Sequence, residues 1–90
     1  MKVLDLSGNR GLTKLPKSIG KLLNLEYLNL SETAIMELPS ELKELRKLKF
    51  LLLDYTKKLK KMEGISSLSC LQVFSMVTDE FNFYGSETAL

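Results

Sequence analysis

Few side chains in this 90-residue chain can carry chemistry, and their spacing gathers none of them. There is no histidine, so no His-based general base, triad or zinc-hydrolase site can be assembled. Cys70 is the only cysteine. It has no partner for an intrachain disulfide, and no Cys/His metal site can be built around it. Asp5, Asp54 and the glutamates could pair as acid and base, but nothing in the pattern closes a pocket over them. A phosphate-cradling loop of the form Gly-x-x-x-x-Gly-Lys-Ser/Thr is also missing. Gly20-Lys21 is followed by leucine, and Leu15 stands where the first glycine is needed. The chain is therefore read as a binding module and not an enzyme, with no catalytic residue, cofactor or metal of its own.

Net charge is +2, too small to imply a nucleic-acid or membrane partner. Charge is uneven along the chain: residues 1–24 hold five Lys/Arg against Asp5 alone, and residues 25–47 hold five Glu against three Lys/Arg. The run Lys57, Lys58, Lys60, Lys61 resembles a phosphate or lipid patch, but reads better as a solvated turn, with Leu59 inside it on a buried position. No apolar run reaches the roughly 18 residues of a membrane span, and no secretory leader precedes the first segment. The expected location is cytoplasmic, and the glycosylation-type triplet Asn29-Leu30-Ser31 is then a chance match.

What positions these scattered groups is a repeat. Leu-x-x-Leu-x-Leu is spelled by Leu25, Leu28 and Leu30, and again 23 residues later by Leu48, Leu51 and Leu53. Leu71, Phe74 and Met76 give a further copy 23 residues on, and Met1, Leu4 and Leu6 give one 24 residues before Leu25. This period and core are those of the leucine-rich repeat, in which each unit adds one short strand to a stacked parallel sheet. The expected fold is α/β: a right-handed solenoid, a horseshoe segment with the parallel sheet on its concave face. Repeats occupy 1–24, 25–47 and 48–70, with a partial fourth from 71. Residues 77–90 read as an irregular, poorly ordered insertion, with Ser86 to Leu90 as the start of a helix. Because the chain opens in repeat phase without a polar cap, it is expected to be a fragment of a longer array. In isolation it should be marginally stable, with Leu4, Leu6, Phe74, Met76 and Phe81 exposed at its ends.

Within a unit, Leu28 and Leu30 point inward while Tyr27, Asn29 and Ser31 point outward, as in a half-buried strand. The crossovers that parallel strands require follow. Ile35, Leu38, Leu42 and Leu45 lie on one helical face, with Pro39 in a first-turn position. Leu12, Leu15, Ile19 and Leu22 repeat this with Pro16, and Gly20 loosens that helix towards a 3₁₀ turn. Leu59, Met62, Ile65 and Leu68 form the least helical crossover. Asn9, Thr33, Thr56 and Asp79 hold the turn position whose side chain satisfies backbone groups of adjacent turns.

Outward strand positions stack into columns about 4.8 Å apart. One column is Val3, Tyr27, Phe50, Val73, a second is Asp5, Asn29, Leu52, Ser75, and Glu32, Tyr55 and Thr78 lie at the strand ends. Tyr27, Phe50, Leu52 and Tyr55 thus make an aromatic–aliphatic patch, rimmed by Glu26, Lys49 and Asp54. That composition is typical of an interface hot spot. The candidate protein-binding residues are Tyr27, Asn29, Lys49, Phe50, Leu52, Asp54 and Tyr55. Four strands expose only about 300 Å², against about 800 Å² from each partner in a standard interface, so the face is part of a larger one.

The string Leu28-Asn29-Leu30-Ser31-Glu32-Thr33-Ala34-Ile35, followed by Glu37-Leu38-Pro39, resembles the LxLSxTxI…LP unit of plant intracellular disease-resistance proteins, the nucleotide-binding leucine-rich-repeat receptors. Leu45 to Asp54 and Ser66 to Met76 are similar to the coiled-coil subgroup. The resemblance implies the recognition and autoinhibitory repeat segment of an immune receptor. Its partner would be a protein: a pathogen effector, a guarded host protein or the receptor's own nucleotide-binding domain. ADP or ATP would be bound only in that separate domain. Asn9 and the Leu15-Pro16…Ile19-Gly20 phrase are equally similar to Ras-group leucine-rich-repeat scaffolds of intracellular signalling, which is the alternative.

Overall fold

The computed structural model describes residues 1–60, 68, 70–77 and 82–86, the last segment by its backbone. Among these are strands β1 (Val3–Asp5), β2 (Tyr27–Asn29), β3 (Phe50–Leu52), β4 (Val73–Val77) and β5 (Asn82–Ser86), joined in that order in one sheet. The first four are parallel. Val3, Tyr27, Phe50 and Val73 are in register, as are Leu4, Leu28, Leu51 and Phe74, and then Asp5, Asn29, Leu52 and Ser75. These are the columns expected from the repeat period. β1, β2 and β3 are only three residues long, because the alternation ends there and the chain must turn back through the crossover, whereas β4 has five.

The ladder continues past the strand ends. Leu6, Leu30 and Leu53 donate their N–H groups to Asn29, Leu52 and Ser75 of the next repeat, each at 2.8 Å. Two residues on, Gly8 donates to Ser31 and Glu32 to Asp54, while Tyr55 donates to Val77. These three donors have left-handed backbone, with φ of 80° at Gly8 and 58° at both Glu32 and Tyr55. The conformation turns the chain sharply while keeping its N–H aimed at the neighbouring repeat.

The first crossover is the 3₁₀ turn that Gly20 predicts, and the second differs from the expected helix. Lys17–Lys21 and Ser40–Glu44 are both 3₁₀, and no α-helix occurs among the described residues. Pro16 and Pro39 each precede a helix as its extended cap residue, and each helix stops where Leu22 or Leu45 bonds back three residues. A 23-residue unit that spends one arm on a strand and another on two turns leaves room for little more than one tight helical turn. Leu15, Ile19, Leu38, Leu42 and Leu45 still face the core, because a 3₁₀ turn brings residues three apart to one side. The first two crossovers stack backbone to backbone, Ala34 N–H on Leu12 carbonyl at 3.0 Å and Met36 on Thr13 at 3.1 Å.

Gly20 is what lets the two 3₁₀ helices touch. A Cβ there would lie 2.9 Å from the Glu41 carbonyl oxygen and 3.0 Å from the Glu41 Cβ, so the glycine provides space rather than backbone freedom. Gly20→Ala is expected to lower stability by about 1–3 kcal/mol, as overpacking does. Urea unfolding checks this, and an unchanged midpoint would show that the crossovers are not in contact.

The core is a single stack of leucines. Leu25, Leu28, Leu30, Ile35, Leu48, Leu51 and Leu53 are fully buried, and Leu68, Leu71, Phe74 and Met76 extend the stack to the fourth strand. Leu4, Leu6, Leu12 and Leu22 are only partly covered, since no described residues pack beyond β1. The turn ladder is present, but with a different partner from the expected one. Asn9 Nδ2 donates to Leu6 carbonyl at 2.7 Å, Thr33 Oγ1 to Leu30 at 2.8 Å and Thr56 Oγ1 to Leu53 at 2.7 Å. Each bond stays within its own repeat, three residues back, so a short threonine hydroxyl reaches as well as an asparagine amide.

Two expectations about the C-terminal part are corrected. Phe74 and Met76 are buried rather than exposed. The stretch read as an irregular insertion contains β5, which pairs antiparallel with the whole of β4, Val73 opposite Ser86 and Val77 opposite Asn82. Ser86 is the last residue of that strand, and residues 87–90, the rest of the expected helix start, lie outside the described residues. Pairing with β5 occupies the outer edge of β4, the edge at which the parallel stacking would otherwise stop. Met62, Ile65, Thr78, Asp79 and Phe81 lie outside the described residues.

Candidate protein-recognition face

The outward side of the sheet is built on the Tyr27–Phe50 pair. Both are half-buried, their ring centroids 6.2 Å apart and their planes tilted by 44°, within the range of favourable aromatic pairs. They come together because the parallel register sets Tyr27 directly beside Phe50. Val73 continues the row and is 38% exposed, which leaves an apolar strip open to a partner. Leu52 lies in the next column, between Asn29 and Ser75.

Polar groups around the strip fall into two kinds. Lys49 and Glu26 approach to 4.0 Å with both side chains partly exposed. Such a pair is soft, worth at most about 1 kcal/mol, and its charges remain available at the rim. Asn29 and Asp54 are instead committed to holding the scaffold. Asn29 Oδ1 accepts the Ser31 N–H at 3.0 Å, and its Nδ2 donates to the Tyr27 hydroxyl at 3.4 Å. Asp54 Oδ1 accepts from Ser75 Oγ at 2.7 Å and from the Val77 N–H at 2.9 Å, while its own N–H donates to Ser31 Oγ. That network ties the second, third and fourth repeats at the strand ends. It also explains why Ser75, in an outward column, is buried.

Asp5 in the first repeat behaves likewise, accepting from Ser7 Oγ at 2.6 Å and from the Ser7 N–H at 2.9 Å. The side-chain hydrogen bond, then the backbone one, hold its carboxyl below the ordinary carboxylate range. Asp5 and Asp54 sit two repeats apart, each tied to neighbouring serine and backbone groups, so they do not face each other as an acid–base pair. Among the described residues no three His, Cys, Asp or Glu side chains gather as metal ligands.

Tyr55 does not join Tyr27, Phe50 and Leu52. Its left-handed backbone carries the side chain off the sheet to the turn side, beside Arg10, Glu32, Lys57 and Lys58. Period counting alone cannot detect this, because the strand alternation ends at Leu52 and the next residues obey turn geometry. The one available sign is Gly8, the glycine that occupies the corresponding turn position in the first repeat.

The match to the family model for a leucine-rich repeat region spans residues 1–86, the same span that carries the parallel ladder and its antiparallel partner. The chain belongs to the leucine-rich repeat family. Among curated proteins this leucine-rich repeat chain is similar to disease resistance protein UNI of Arabidopsis thaliana, 48% identical over 75 residues, which is 83% of the chain and 8% of that protein. Disease resistance protein RFL1 of the same plant is 47% identical over 76 residues, 84% of the chain and 9% of that protein. A probable disease resistance protein, also from Arabidopsis thaliana, is 52% identical over 75 residues, 83% of the chain and 8% of its own length. The resemblance is to a leucine-rich repeat region of a plant resistance protein, and the chain spans about a tenth or less of the relatives it matches. No helix among the described residues is long and apolar enough to cross a membrane.

Proposed function

We propose that this leucine-rich repeat segment is part of the protein-recognition and autoinhibitory surface of a cytoplasmic plant immune receptor, within a right-handed horseshoe whose sheet lines the concave side. The observation that carries the reading is the open apolar strip Tyr27–Phe50–Val73, aligned by the inter-repeat register. Similarity to plant disease resistance proteins supports the defence context over the Ras-group scaffold. The partner is a protein: the receptor's own nucleotide-binding domain in the resting state, and a pathogen effector or guarded host protein on activation. Tyr27, Phe50 and Leu52 supply contact area, and Lys49 with Glu26 sets charge at the rim. Asp54 ties the ends of adjacent strands together, and Asn29 braces Tyr27 and Ser31 within its own repeat.

The test is the full-length receptor carrying Tyr27→Ala, Phe50→Ala and Leu52→Ala together, expressed in plant tissue with its defence response measured. A response without elicitor is expected if the strip holds the receptor inactive, and loss of the elicited response if it contacts the activating protein. A receptor that behaves as wild type in both assays would sink the reading.

A further inference from the structure

β4 uses its two edges differently. Towards the third repeat, Val73 donates its N–H to the Lys49 carbonyl at 2.9 Å, and the Ser75 and Val77 carbonyls accept from Leu53 and Tyr55. Asp54 Oδ1 takes the Val77 N–H on that same side. Backbone polar groups of successive strand residues point to opposite edges, so those of Phe74 and Met76 point away from the third repeat. Gly85 and Phe83 of β5 stand opposite them. In the antiparallel pattern such pairs exchange both of their hydrogen bonds. β5 thereby occupies the backbone groups that a further parallel strand would need.

The complementary groups lie at the other end of the sheet. Leu6 donates to the Asn29 carbonyl and the Lys2 carbonyl accepts from Tyr27, so Val3 and Asp5, which alternate with them, turn their backbone groups away from β2. Among the described strands β1 pairs with β2 alone, and Leu4, Leu6, Leu12 and Leu22 behind it are only partly covered. A second copy's β1 set beside β4 would continue every column, with Val3 after Val73, Leu4 after Phe74 and Asp5 after Ser75. A contact between two different ends of one molecule does not close on itself and propagates.

We propose that β5 is a strap that closes the parallel ladder at β4 and keeps a second copy of this chain from adding its β1 there. This does not rest on the recognition reading, which concerns the outward face of the sheet and not its edge. Chain direction suits β5 to the task. Only residues 78–81 separate it from β4, far fewer than the dozen or so that a parallel crossover requires. The returning chain must therefore take the edge in the antiparallel sense, and the shared register of β1 to β4 stops at it. An open edge would otherwise be a template for another chain.

The test compares the full chain with its Phe83→Pro, Gly85→Pro double variant, which removes the two β5 N–H groups aimed at β4. Amide exchange and sedimentation velocity are followed over a range of concentrations. The unaltered chain is expected to stay monomeric, with slow exchange at Phe74 and Met76. In the double variant these two amides should exchange about tenfold faster or more in dilute solution, while Leu28 and Leu51 stay protected. The variant should also associate at least about tenfold more tightly than the unaltered chain. Adding Val3→Pro should abolish that association, because only an incoming β1 uses the Val3 N–H. Tyr84→Pro is the control: its N–H points away from β4, where an edge strand tolerates proline, so neither measurement should move. Should the double variant lose protection at Leu28 and Leu51 and so fail to fold, Gly85→Pro alone carries the same expectations at Phe74. Equal exchange at Phe74 with and without the substitutions would show that β5 does not hold the edge. Faster exchange without association, or equal association by the unaltered chain, overturns the guarding role. Association that survives Val3→Pro overturns the choice of β1 as the excluded strand.

Discussion

Leu51→Ala is expected to lower the stability of the chain by about 2–5 kcal/mol, the range for deleting a buried leucine side chain. Leu51 is fully buried and stands in register between Leu28 and Phe74, so the cavity opens on two repeat interfaces at once. In a solenoid each unit is held mainly by its two neighbours, and no distant part of the chain can collapse into the gap. Set against a native margin of about 5–15 kcal/mol, one such deletion removes a large fraction of what holds the array. Denaturant unfolding measures the loss as a shift in midpoint at constant slope. Leu4→Ala in the same column is expected to cost less, because Leu4 is only partly covered. A loss below about 1 kcal/mol at Leu51 would mean that the inward column is not the core.

On the proposed recognition role, Phe50→Ala is expected to weaken binding to the proposed partner, the nucleotide-binding domain of such a receptor, by about thirtyfold or more, the effect of losing about 2 kcal/mol at a hot spot. Phe50 sits at the centre of the outward row, with Tyr27 on one side and Val73 on the other. A ring in that position is desolvated by a partner from above while its edges are already packed. Its conformational cost was met on folding, because the tilted contact with Tyr27 at 6.2 Å restricts it in the free chain. Val3→Ala, at the exposed end of the row, is expected to change affinity little. Calorimetric titration of the two variants checks the contrast. A drop of less than about threefold at Phe50 would move the contact elsewhere on the repeat.

How much of this was legible in the residues differs from element to element. Strand positions and their columns could be read in advance because two periods coincide. Alternation within Tyr27 to Ser31 sets which side faces inward, and the 23-residue spacing of Leu28 and Leu51 sets which residues become neighbours. The crossovers were placed correctly, and Gly20 pointed to the 3₁₀ turn of the first, but the second was read as an ordinary helix. Apolar spacings of three and four suit a 3₁₀ turn as well as an α-helix, and the choice depends on how closely Gly20 and Glu41 stack.

Polar side chains of the candidate face were less legible still. Asp54 looks like a rim charge in the sequence, and only the approach of Ser75 and Val77 from the next strand turns it into a strut. Nothing in the string Val73 to Ser86 announces the antiparallel β5, because its partner edge on β4 exists only after the repeats have stacked.

The sequence by itself determined the repeat, the inward leucines and the row containing Tyr27 and Phe50, since these follow from chain periodicity and the burial of apolar side chains. Tertiary structure decided which polar groups remain available to a partner. It also decided that Tyr55 turns towards Arg10, Glu32 and Lys58. Both outcomes depend on hydrogen bonds between residues a full repeat apart, such as the Tyr55 N–H on the Val77 carbonyl, which no local pattern encodes.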